Sequence, residues 1–532
     1  MISAISIKNY KRFESFKLEC KEGLNLLVGN NDTGKTTIIE AISLGLTKRL
    51  NGRPLEYELS QHLFNANAVA RYLDTIGKGE RIDAPRIVIE LTFAPSELVS
   101  GMKGSNNDAR ADAHGVRLVV ALDDDADVRA DYMRLLESGV RLTALPIEYY
   151  KVSWYTFADQ PLSGRNMPMK SSFIDATTIR VQNGTNYYLG NAIQESLSDN
   201  ERLSISWEYR RLKQAFAEQE GIKTLNKSLE KRDVSLNKAT LTVSLDLSQR
   251  APWETNLTPH LNDLPVQFVG KGEQHFLKIM FALDREVSAC HVVLIEEPEN
   301  HLAFGYLNVL LNRIAAKCTG RQVFITTHSA FVLNKLGLDR TILLGTGGPS
   351  FITGLPKPTQ SYFRRLPGHD TLRLLLAKRT VLVEGPSDEL FFQKAYHQKH
   401  GCLPIEHGVD VLSVRGTSGP RFLDVAKAIG HAADVIADND GEYEKTSKRY
   451  AAYIGAGIRL CMDADNTLPT LEYQVAAVND VRLLNKVFGR KDKSVEDARN
   501  YMLANKTEWA LAAFETTDQI DIPAYMQTAL AE

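Results

Sequence analysis

The sequence predicts an α/β protein made of two α/β domains in series, with a helical insert in the first domain and a helical end on the second. Short apolar strands alternate with amphipathic helical stretches, and a polar Gly/Pro-rich segment at residues 345–358 separates two such series. The chain has 532 residues. At roughly 100–200 residues per domain, that length indicates two or three domains.

The composition is that of an ordinary globular protein, with 43% hydrophobic and 24% charged residues. No apolar run approaches the ~18–20 residues needed to cross a bilayer, and the N-terminus lacks a signal peptide's basic-then-apolar order. The five cysteines lie far apart without a CxxC pair, which argues against a zinc ribbon or a disulfide framework. We therefore expect a cytoplasmic protein that does not associate with membranes.

The charges nearly cancel, with 63 basic and 65 acidic residues and a net charge of −2. This balance excludes a generally basic coat for nucleic acid but leaves room for a local basic groove.

The first domain is predicted over residues 1–375, with an inserted region at about 100–250 that is charge-rich and helical near 187–235. The second domain is predicted over residues 376–532. Its apolar strands lie near 380–383, 409–414 and 435–437, and its end is mainly helical.

A phosphate-binding loop follows the apolar run at residues 24–28 and precedes an amphipathic helical stretch. The loop matches GxxxxGK[ST] in full through Gly29, Asn30, Asn31, Asp32, Thr33, Gly34, Lys35 and Thr36. In such a loop, backbone N–H groups hold phosphate oxygens, the lysine reaches the terminal phosphates and the hydroxyl of Thr36 ligates magnesium. We assign these residues, with Thr37, to ATP binding.

A second nucleotide motif is the apolar strand at 292–295 that ends in Glu296 and Glu297. Two carboxylates at a strand end suit a magnesium ligand, here Glu296, followed by a residue that polarises water, here Glu297. Taken alone, such a pair is also typical of a surface turn. Upstream, Gly270, Gly272 and Gln274 open a helical stretch, and downstream another strand ends in His328.

This order of loop, glycine-glutamine signature, acidic strand and strand-end histidine resembles the ABC-type ATPases of the RecF/SMC-like branch. The resemblance implies that Gly270, Gly272 and Gln274 contact ATP bound to a second subunit, so that the ATPase works as a homodimer or higher homo-oligomer. It also implies that His328 senses the γ-phosphate.

Acidic residues follow strands of the second domain. Glu384 and Asp388 come after the strand at 380–383, Asp438 and Asp440 form a DxD after 435–437, and Glu472 lies further on. Each of these acidic motifs, taken alone, is typical of a polar turn. Together, carboxylates gathered at one sheet edge repel one another unless cations neutralise them, which indicates Mg²⁺ or Mn²⁺.

This half resembles a Toprim domain, and an ABC ATPase followed by Toprim is similar to the OLD (overcoming lysogenisation defect) family. Its Gabija A-type members are anti-phage nucleases that act beside a helicase-like protein, so the resemblance also implies DNA and such a partner. It implies that Glu384 and Asp388 hold one metal, that Asp438 and Asp440 hold or bridge the other, and that Glu472 completes the set. The resemblance also implies a lysine near the scissile phosphate toward the end of the chain, and Lys506 is the candidate.

The function expected from this resemblance is an ATP-regulated, divalent-metal-dependent DNA endonuclease, in anti-phage defence. One alternative is a non-cleaving RecF/SMC-like ATP-driven DNA clamp with a binding-only Toprim domain. The intact Glu384, Asp438 and Asp440 argue against the clamp. A topoisomerase- or primase-like enzyme is the other alternative, although no segment of the sequence is an obvious DNA-gate domain.

Overall fold

The computed structural model describes most of the chain. The described residues are 1–137, 142–174, 181–182, 185–186, 197–230, 253, 260–284, 290–345, 347–416, 418–455 and 457–531.

Strands and helices alternate along these residues. The strands up to residue 375 are β1 (Ile2–Tyr10), β2 (Phe13–Glu19), β3 (Leu24–Gly29), β4 (Arg49–Leu50), β5 (Arg53–Pro54), β6 (Ile87–Phe93), β7 (Lys103–Gly104), β8 (Ala113–Leu122), β9 (Tyr150–Thr156), β10 (Ser171–Ile174), β11 (Val181–Gln182), β12 (Thr185–Asn186), β13 (His260–Leu261), β14 (Leu264–Pro265), β15 (Val292–Glu296), β16 (Gln322–Thr326), β17 (Thr341–Gly345) and β18 (Gly348–Phe351). The α-helices of the same part are α1 (Lys35–Thr47), α2 (Ala66–Gly77), α3 (Ala126–Glu137), α4 (Asp199–Ala217), α5 (Glu220–Glu230), α6 (Lys271–Asp284), α7 (Phe304–Lys317), α8 (Ala330–Leu336), α9 (Lys357–Arg365) and α10 (Thr371–Leu376).

The C-terminal part continues the alternation and then becomes helical. Its strands are β19 (Arg379–Val383), β20 (Val409–Ser413), β21 (Ala433–Ile436) and β22 (Ile458–Cys461). Its α-helices are α11 (Pro386–His400), α12 (Gly419–Ile429), α13 (Tyr443–Tyr450), α14 (Leu471–Val478), α15 (Val481–Phe488), α16 (Val495–Ala504), α17 (Lys506–Glu515) and α18 (Ala524–Ala529).

Two six-stranded sheets form the ATPase domain. The first is antiparallel in the order β2-β1-β6-β8-β7, with β9 beside β8. The second runs β10-β15-β16-β3-β17-β18 and is parallel except for β18. Helix α1 packs between the sheets, with Ile38, Ile39 and Ile42 fully buried, because both sheets cover it. The parallel strands read as continuous apolar runs because both of their faces are covered.

The antiparallel sheet takes in part of the region predicted as an insert. Strands β8 and β9, at residues 113–122 and 150–156, pair with each other and with β6. Strands β8 and β9 therefore belong to the core of the first domain. The sequence did not reveal this because an antiparallel pairing joins distant segments. The predicted helical arm is present as α4 and α5, and α4 begins with a capping box between Ser198 and Glu201.

The second domain is a four-stranded, all-parallel sheet in the order β20-β19-β21-β22. Helices α11 and α17 pack against each other, and α18 packs across β21 and β22. The carboxyl ends of the four strands lie at one edge, which in sheets of this kind is the edge that binds ligands.

One apolar core joins the two domains. It includes Leu26 and Val332 of the ATPase domain, Phe363 and Leu374 of the connecting helices, and Phe422 of α12. A short network of polar contacts lies at the same junction, where Thr359 donates to Asp424 and Arg421 donates to Thr359 at 2.9 Å. Among the described residues, no helix is both long enough and apolar enough to cross a bilayer.

Candidate nucleotide site and acidic metal centre

The phosphate-binding loop joins the buried strand β3 to the N-terminus of α1. Gly34 caps the helix in the left-handed region with a φ of 93°, and a Cβ added there would lie 2.3 Å from the Cζ atom of Phe13. Only glycine fits this turn without strain. The loop backbone and the positive end of the helix dipole therefore face the same space, which suits phosphate groups.

Lys35 lies over this loop. Its Nζ atom donates to the carbonyl oxygens of Gly29 and Asn30, both at 2.9 Å. Burial lowers the pKa of Lys35, and the carboxylates of Glu297 and Asp32 oppose that shift. Strand β3, which precedes the loop, pairs in parallel with β16, and β16 pairs in parallel with β15, so the loop and the acidic strand end lie at the same edge of the sheet.

Glu297 and His328 face each other across the ends of the paired strands β15 and β16. Their Oε1 and Nε2 atoms are 3.6 Å apart. The Glu297 side chain also accepts a hydrogen bond from Asn300 Nδ2 at 2.6 Å, and its backbone N–H donates to the Thr326 carbonyl at 3.0 Å. Burial and the nearby Lys35 lower the pKa of His328, which favours the neutral ring, while Glu297 acts in the opposite direction. Glu296 pairs with Thr326 at the end of the same strands.

Glu299 holds this histidine-bearing loop and was not assigned a role from the sequence. Its Oε1 atom accepts from the Thr327 hydroxyl at 2.7 Å and from the His328 backbone N–H at 2.8 Å. Burial raises the pKa of Glu299. No sequence signal separates Glu299 from its acidic neighbours, because its role depends on a contact with another strand.

The glycine-glutamine signature sits at the start of α6. Gly270 is exposed, with open space around it, whereas a Cβ on Gly272 would lie 2.2 Å from the His301 carbonyl oxygen. Gln274 is buried, and its Nε2 atom donates to the Val269 carbonyl at 2.8 Å. Within this chain, Gly272 permits close packing and Gln274 fixes the turn before its own helix, while Gly270 faces outward. Contact of all three with a second subunit's ATP stays a prediction.

The acidic residues of the second domain gather at the carboxyl edge of its sheet. Glu384 follows β19 directly, and Asp438 and Asp440 follow β21. Asp388 lies in the first turn of α11, where its Oδ2 atom accepts from the Gly385 N–H at 3.0 Å. Glu472, only 3% exposed, lies in the first turn of α14 and accepts from the Thr470 hydroxyl at 2.6 Å.

These five carboxylates influence one another electrostatically and so form one cluster. Burial and then the negative charges of Asp388, Glu384, Glu472 and Asp440 raise the pKa of Asp438 to about 9. Burial, followed by Asp388 and Asp440, raises the pKa of Glu384 to about 7. Burial also raises the pKa of Asp388 to about 6, with Glu472 adding to the effect. Buried acids that repel each other in this way are stabilised by a cation.

Two exposed cations lie at the rim of the cluster. Lys506, at the start of α17, opposes the rise in the pKa of Asp388, and its carbonyl accepts from the Ser387 hydroxyl at 3.0 Å. Arg449, on α13, opposes the rise in the pKa of Glu384. The resemblance pointed to Lys506. Arg449 was missed because only the fold brings α13 beside Glu384.

Asp463 was also missed, although a simple signal marks it. Asp463 and Asp465 form a second DxD after β22, the fourth strand of the sheet. The side-chain amide of Asn439 donates to both of their carbonyl oxygens, at 3.0 and 2.9 Å, and so ties this loop to the loop of Asp438 and Asp440. The strand-end rule that identified the first DxD applies equally to this one.

The chemistry of this donor set fits divalent metal ions. All of its members are oxygen donors, which Mg²⁺ and Mn²⁺ prefer. Asp388 and Glu472 are buried, Glu384 and Asp438 are half-buried, and Asp440 is exposed, so the cluster is open to solvent on one side. Among the described residues, no three His, Cys, Asp or Glu side chains converge into a ready-made ligand shell. The fit therefore rests on donor type, burial and mutual repulsion.

Three family models match the chain. Residues 1–110 match the AAA ATPase domain, and residues 173–334 match an AAA domain described as a putative AbiEii toxin of a type IV toxin–antitoxin system. Residues 375–440 match the TOPRIM domain of overcoming-lysogenization-defect-like proteins. The chain thus combines segments that match AAA ATPase domains with an OLD-like TOPRIM domain, which confirms the resemblance seen in the sequence.

The chain is also similar in sequence to an endonuclease and, over a short segment, to an ATPase. The chain is 23% identical over 493 residues to endonuclease GajA from Bacillus cereus strain VD045, a match covering 87% of this chain and 78% of GajA. A shorter segment of 49 residues is 47% identical to the DNA double-strand break repair Rad50 ATPase of Methanopyrus kandleri, and it spans 9% of this chain and 6% of that protein.

Solved structures give weaker likenesses. The C-terminal region of the Xanthomonas campestris pv. campestris OLD protein is 16% identical, with 30% of this chain and 92% of that chain covered and a TM-score of 0.22. The SMC head domain from Thermotoga maritima is 14% identical, with 66% and 98% covered and a TM-score of 0.28. The AAA ATPase and TOPRIM family matches, taken as domains, indicate use of a nucleotide and of divalent metal ions in general.

Proposed function

We propose that this protein is an ATP-regulated, divalent-metal-dependent DNA endonuclease. The observation that carries the proposal is the cluster of mutually repelling carboxylates at the parallel strand ends, in one chain with a complete phosphate-binding loop. The TOPRIM match and the similarity to an endonuclease over most of the chain support it. A role in anti-phage defence is part of the same proposal, as are a homo-oligomer formed through the ATPase domain and a helicase-like partner.

The residues divide the chemical work. Glu384, Asp388, Asp438, Asp440 and Glu472 would hold Mg²⁺ or Mn²⁺, and such ions activate a water molecule and neutralise charge on the leaving oxygen. Lys506 and Arg449 supply positive charge at the rim, where a phosphodiester backbone would lie. A cluster of acids with exposed cations at its rim favours a substrate whose phosphate is presented to the edge of the sheet.

ATP control is supported by a continuous path of contacts between the sites. Ser329 follows His328 and caps α8 by accepting from the Val332 N–H at 3.3 Å. On α8, the buried Asn334 donates to the His369 carbonyl at 2.7 Å and accepts from the Thr371 hydroxyl at 2.6 Å. The histidine end of the nucleotide site is therefore linked to α10.

The path then reaches the acidic cluster. Arg373 of α10 donates to Asp410 and, at 3.0 Å, to the Val411 carbonyl on β20. Beyond the end of β20, the Gly416 N–H donates to the Glu384 carbonyl at 3.0 Å. A change in the position of α8 would therefore be transmitted to the strand ends that carry the carboxylates.

Cleavage of supercoiled and linear DNA by the purified chain tests the proposal. We expect nicking or linearisation with Mg²⁺ or Mn²⁺ that disappears with EDTA and in the Asp438→Ala/Asp440→Ala variant. The control is Asp74→Asn. Asp74 is an exposed acid on α2 that pairs with Lys78, away from the acidic cluster, and this variant should cleave normally. DNA binding without cleavage in every metal and nucleotide condition would contradict the proposal and favour a DNA clamp.

A further inference from the structure

The second domain buries a tyrosine hydroxyl for which the described residues provide no hydrogen-bond partner. Tyr525, on α18, is 9% exposed, and its hydroxyl oxygen is inaccessible to solvent and unpaired within the described part of the chain. Leaving a buried hydroxyl unpaired costs about 1–3 kcal/mol. Such a group in a folded protein calls for an explanation, and a functional partner is one of the ordinary explanations.

The hydroxyl lies behind the acidic cluster. Helix α18 packs across β21 and β22, and Tyr525 shares a core with Ile436 and Cys461 at the ends of those strands. Burial and then the negative charges of Asp438, Asp388, Asp463 and Glu472 raise the pKa of the Tyr525 phenol. The hydroxyl therefore lies near enough to the strand-end carboxylates to interact with their charges.

The chain holds α18 firmly in this position. Arg379 donates to the carbonyl oxygens of Ala529 and Ala531, at 2.7 and 2.9 Å, and Lys399 donates to the Leu530 carbonyl at 3.0 Å. Arg379 is itself held by the buried Asp434. Contacts at the opposite end of the sheet thus fix the helix, and the Tyr525 ring has little freedom to move away from the carboxylates.

We propose that Tyr525 is a positioning residue of the metal centre: when metal ions are bound, its hydroxyl, which has no partner among the described residues here, donates a hydrogen bond to the Asp438 carboxylate and orients it toward the ions. The inference rests on the proposed function, because it concerns the same carboxylates. Tyr525 is buried behind them and does not reach DNA, so its contribution is to metal affinity. Partners that orient metal ligands typically contribute 10–100-fold in affinity or activity.

Tyr525→Phe removes only the hydroxyl. We expect Mn²⁺ binding to the full chain, measured by calorimetry, to weaken by about tenfold or more. The melting temperature in EDTA should not fall below that of the wild type, because the hydroxyl removed is unpaired there. Tyr150→Phe is the matched control, since Tyr150 of β9 is 8% exposed and also carries a buried hydroxyl without a partner among the described residues. The Tyr150 variant should bind Mn²⁺ like the wild type.

Equal Mn²⁺ affinity in the wild type and Tyr525→Phe would overturn the inference and leave the nuclease proposal intact. A wild-type chain that binds no Mn²⁺ and cleaves no DNA would overturn both. Placing 3-fluorotyrosine at position 525 keeps the ring and hydroxyl, so it provides a test even where the phenylalanine variant does not fold. Mg²⁺ should shift its fluorine resonance but not that of 3-fluorotyrosine at position 150, and an unchanged resonance at 525 would contradict the inference.

Discussion

Two carboxylates of the acidic cluster have pKa values well above their ordinary values. Asp438 has an ordinary pKa of 3.8 that the fold raises to about 9, and Glu384 goes from 4.5 to about 7. Between the unfolded and the folded pKa values, the folded protein binds more protons than the unfolded chain. Its free energy of unfolding therefore falls as the pH rises through this range.

Asp438→Asn should remove most of this dependence. In EDTA, the wild-type melting temperature is expected to fall between pH 6 and pH 9, and the variant should fall less and be more stable at pH 8 by about 1–3 kcal/mol. Mg²⁺ should stabilise the wild type at pH 8 and have little effect on the variant. Thermal melts across pH with and without Mg²⁺ check this. Identical pH profiles for the two proteins would show that the fold does not raise the pKa of Asp438.

Glu297 is the residue best placed to polarise water in the nucleotide site, through its position opposite His328. Glu297→Gln keeps the side-chain shape and removes the base, so ATP turnover should fall by about 10²–10⁴-fold. ATP binding, followed with a fluorescent analogue, should persist because the loop around Lys35 is unchanged. Turnover at the wild-type rate would exclude this role for Glu297.

At the scale of elements, helix α6 packs closely against the turn that follows β15. Gly272→Ala places a methyl group against the His301 carbonyl, at 2.2 Å before any adjustment, whereas Gly270→Ala meets nothing within 4 Å. We expect the first variant to lose about 1–3 kcal/mol of unfolding free energy and the second to lose much less. Denaturant melts distinguish them. Equal stability of the two variants would mean that α6 does not need this close approach.

Helix α8 is the element that connects the two sites. Asn334→Ala removes its hydrogen bonds to α10 and to the preceding loop, so we expect the effect of ATP on DNA cleavage to shrink severalfold while ATP turnover and ATP-free cleavage persist. Cleavage assays with and without ATP measure this. Asn485→Ala is the control, because Asn485 makes similar backbone hydrogen bonds to Asp492 in the C-terminal helices. An unchanged ATP effect in Asn334→Ala would argue against this path.

The structure shows which features a sequence can predict. The phosphate-binding loop and the acids Glu384 and Asp438 were predictable because each follows an apolar strand directly in the chain. Arg449 and Tyr525 were not, since only the folded chain brings α13 and α18 to the acidic edge. Asp463 was predictable from its DxD and was overlooked. The sites themselves remain predictions, while the α/β fold class and the match to an OLD-like TOPRIM domain are confirmed.

At the scale of the whole molecule, the ATPase and TOPRIM domains share one apolar core rather than a loose linker. A packed core transmits a displacement from one element to the next, because its side chains have little free volume in which to adjust. The binding of ATP at one end and the arrangement of carboxylates at the other are therefore expected to be coupled. We therefore expect the nucleotide site to control a metal-dependent DNA-cutting site in the same chain.

Plasmid cleavage under single-turnover conditions, with Mg²⁺ and with or without ATP, tests it most directly when the wild type is compared with Lys35→Ala and Asp438→Asn. We expect Asp438→Asn to abolish cleavage in every condition. We expect Lys35→Ala to keep metal-dependent cleavage but to lose the response to ATP that the wild type shows. Cleavage by Asp438→Asn at the wild-type rate, or the same ATP response in Lys35→Ala as in the wild type, would contradict it.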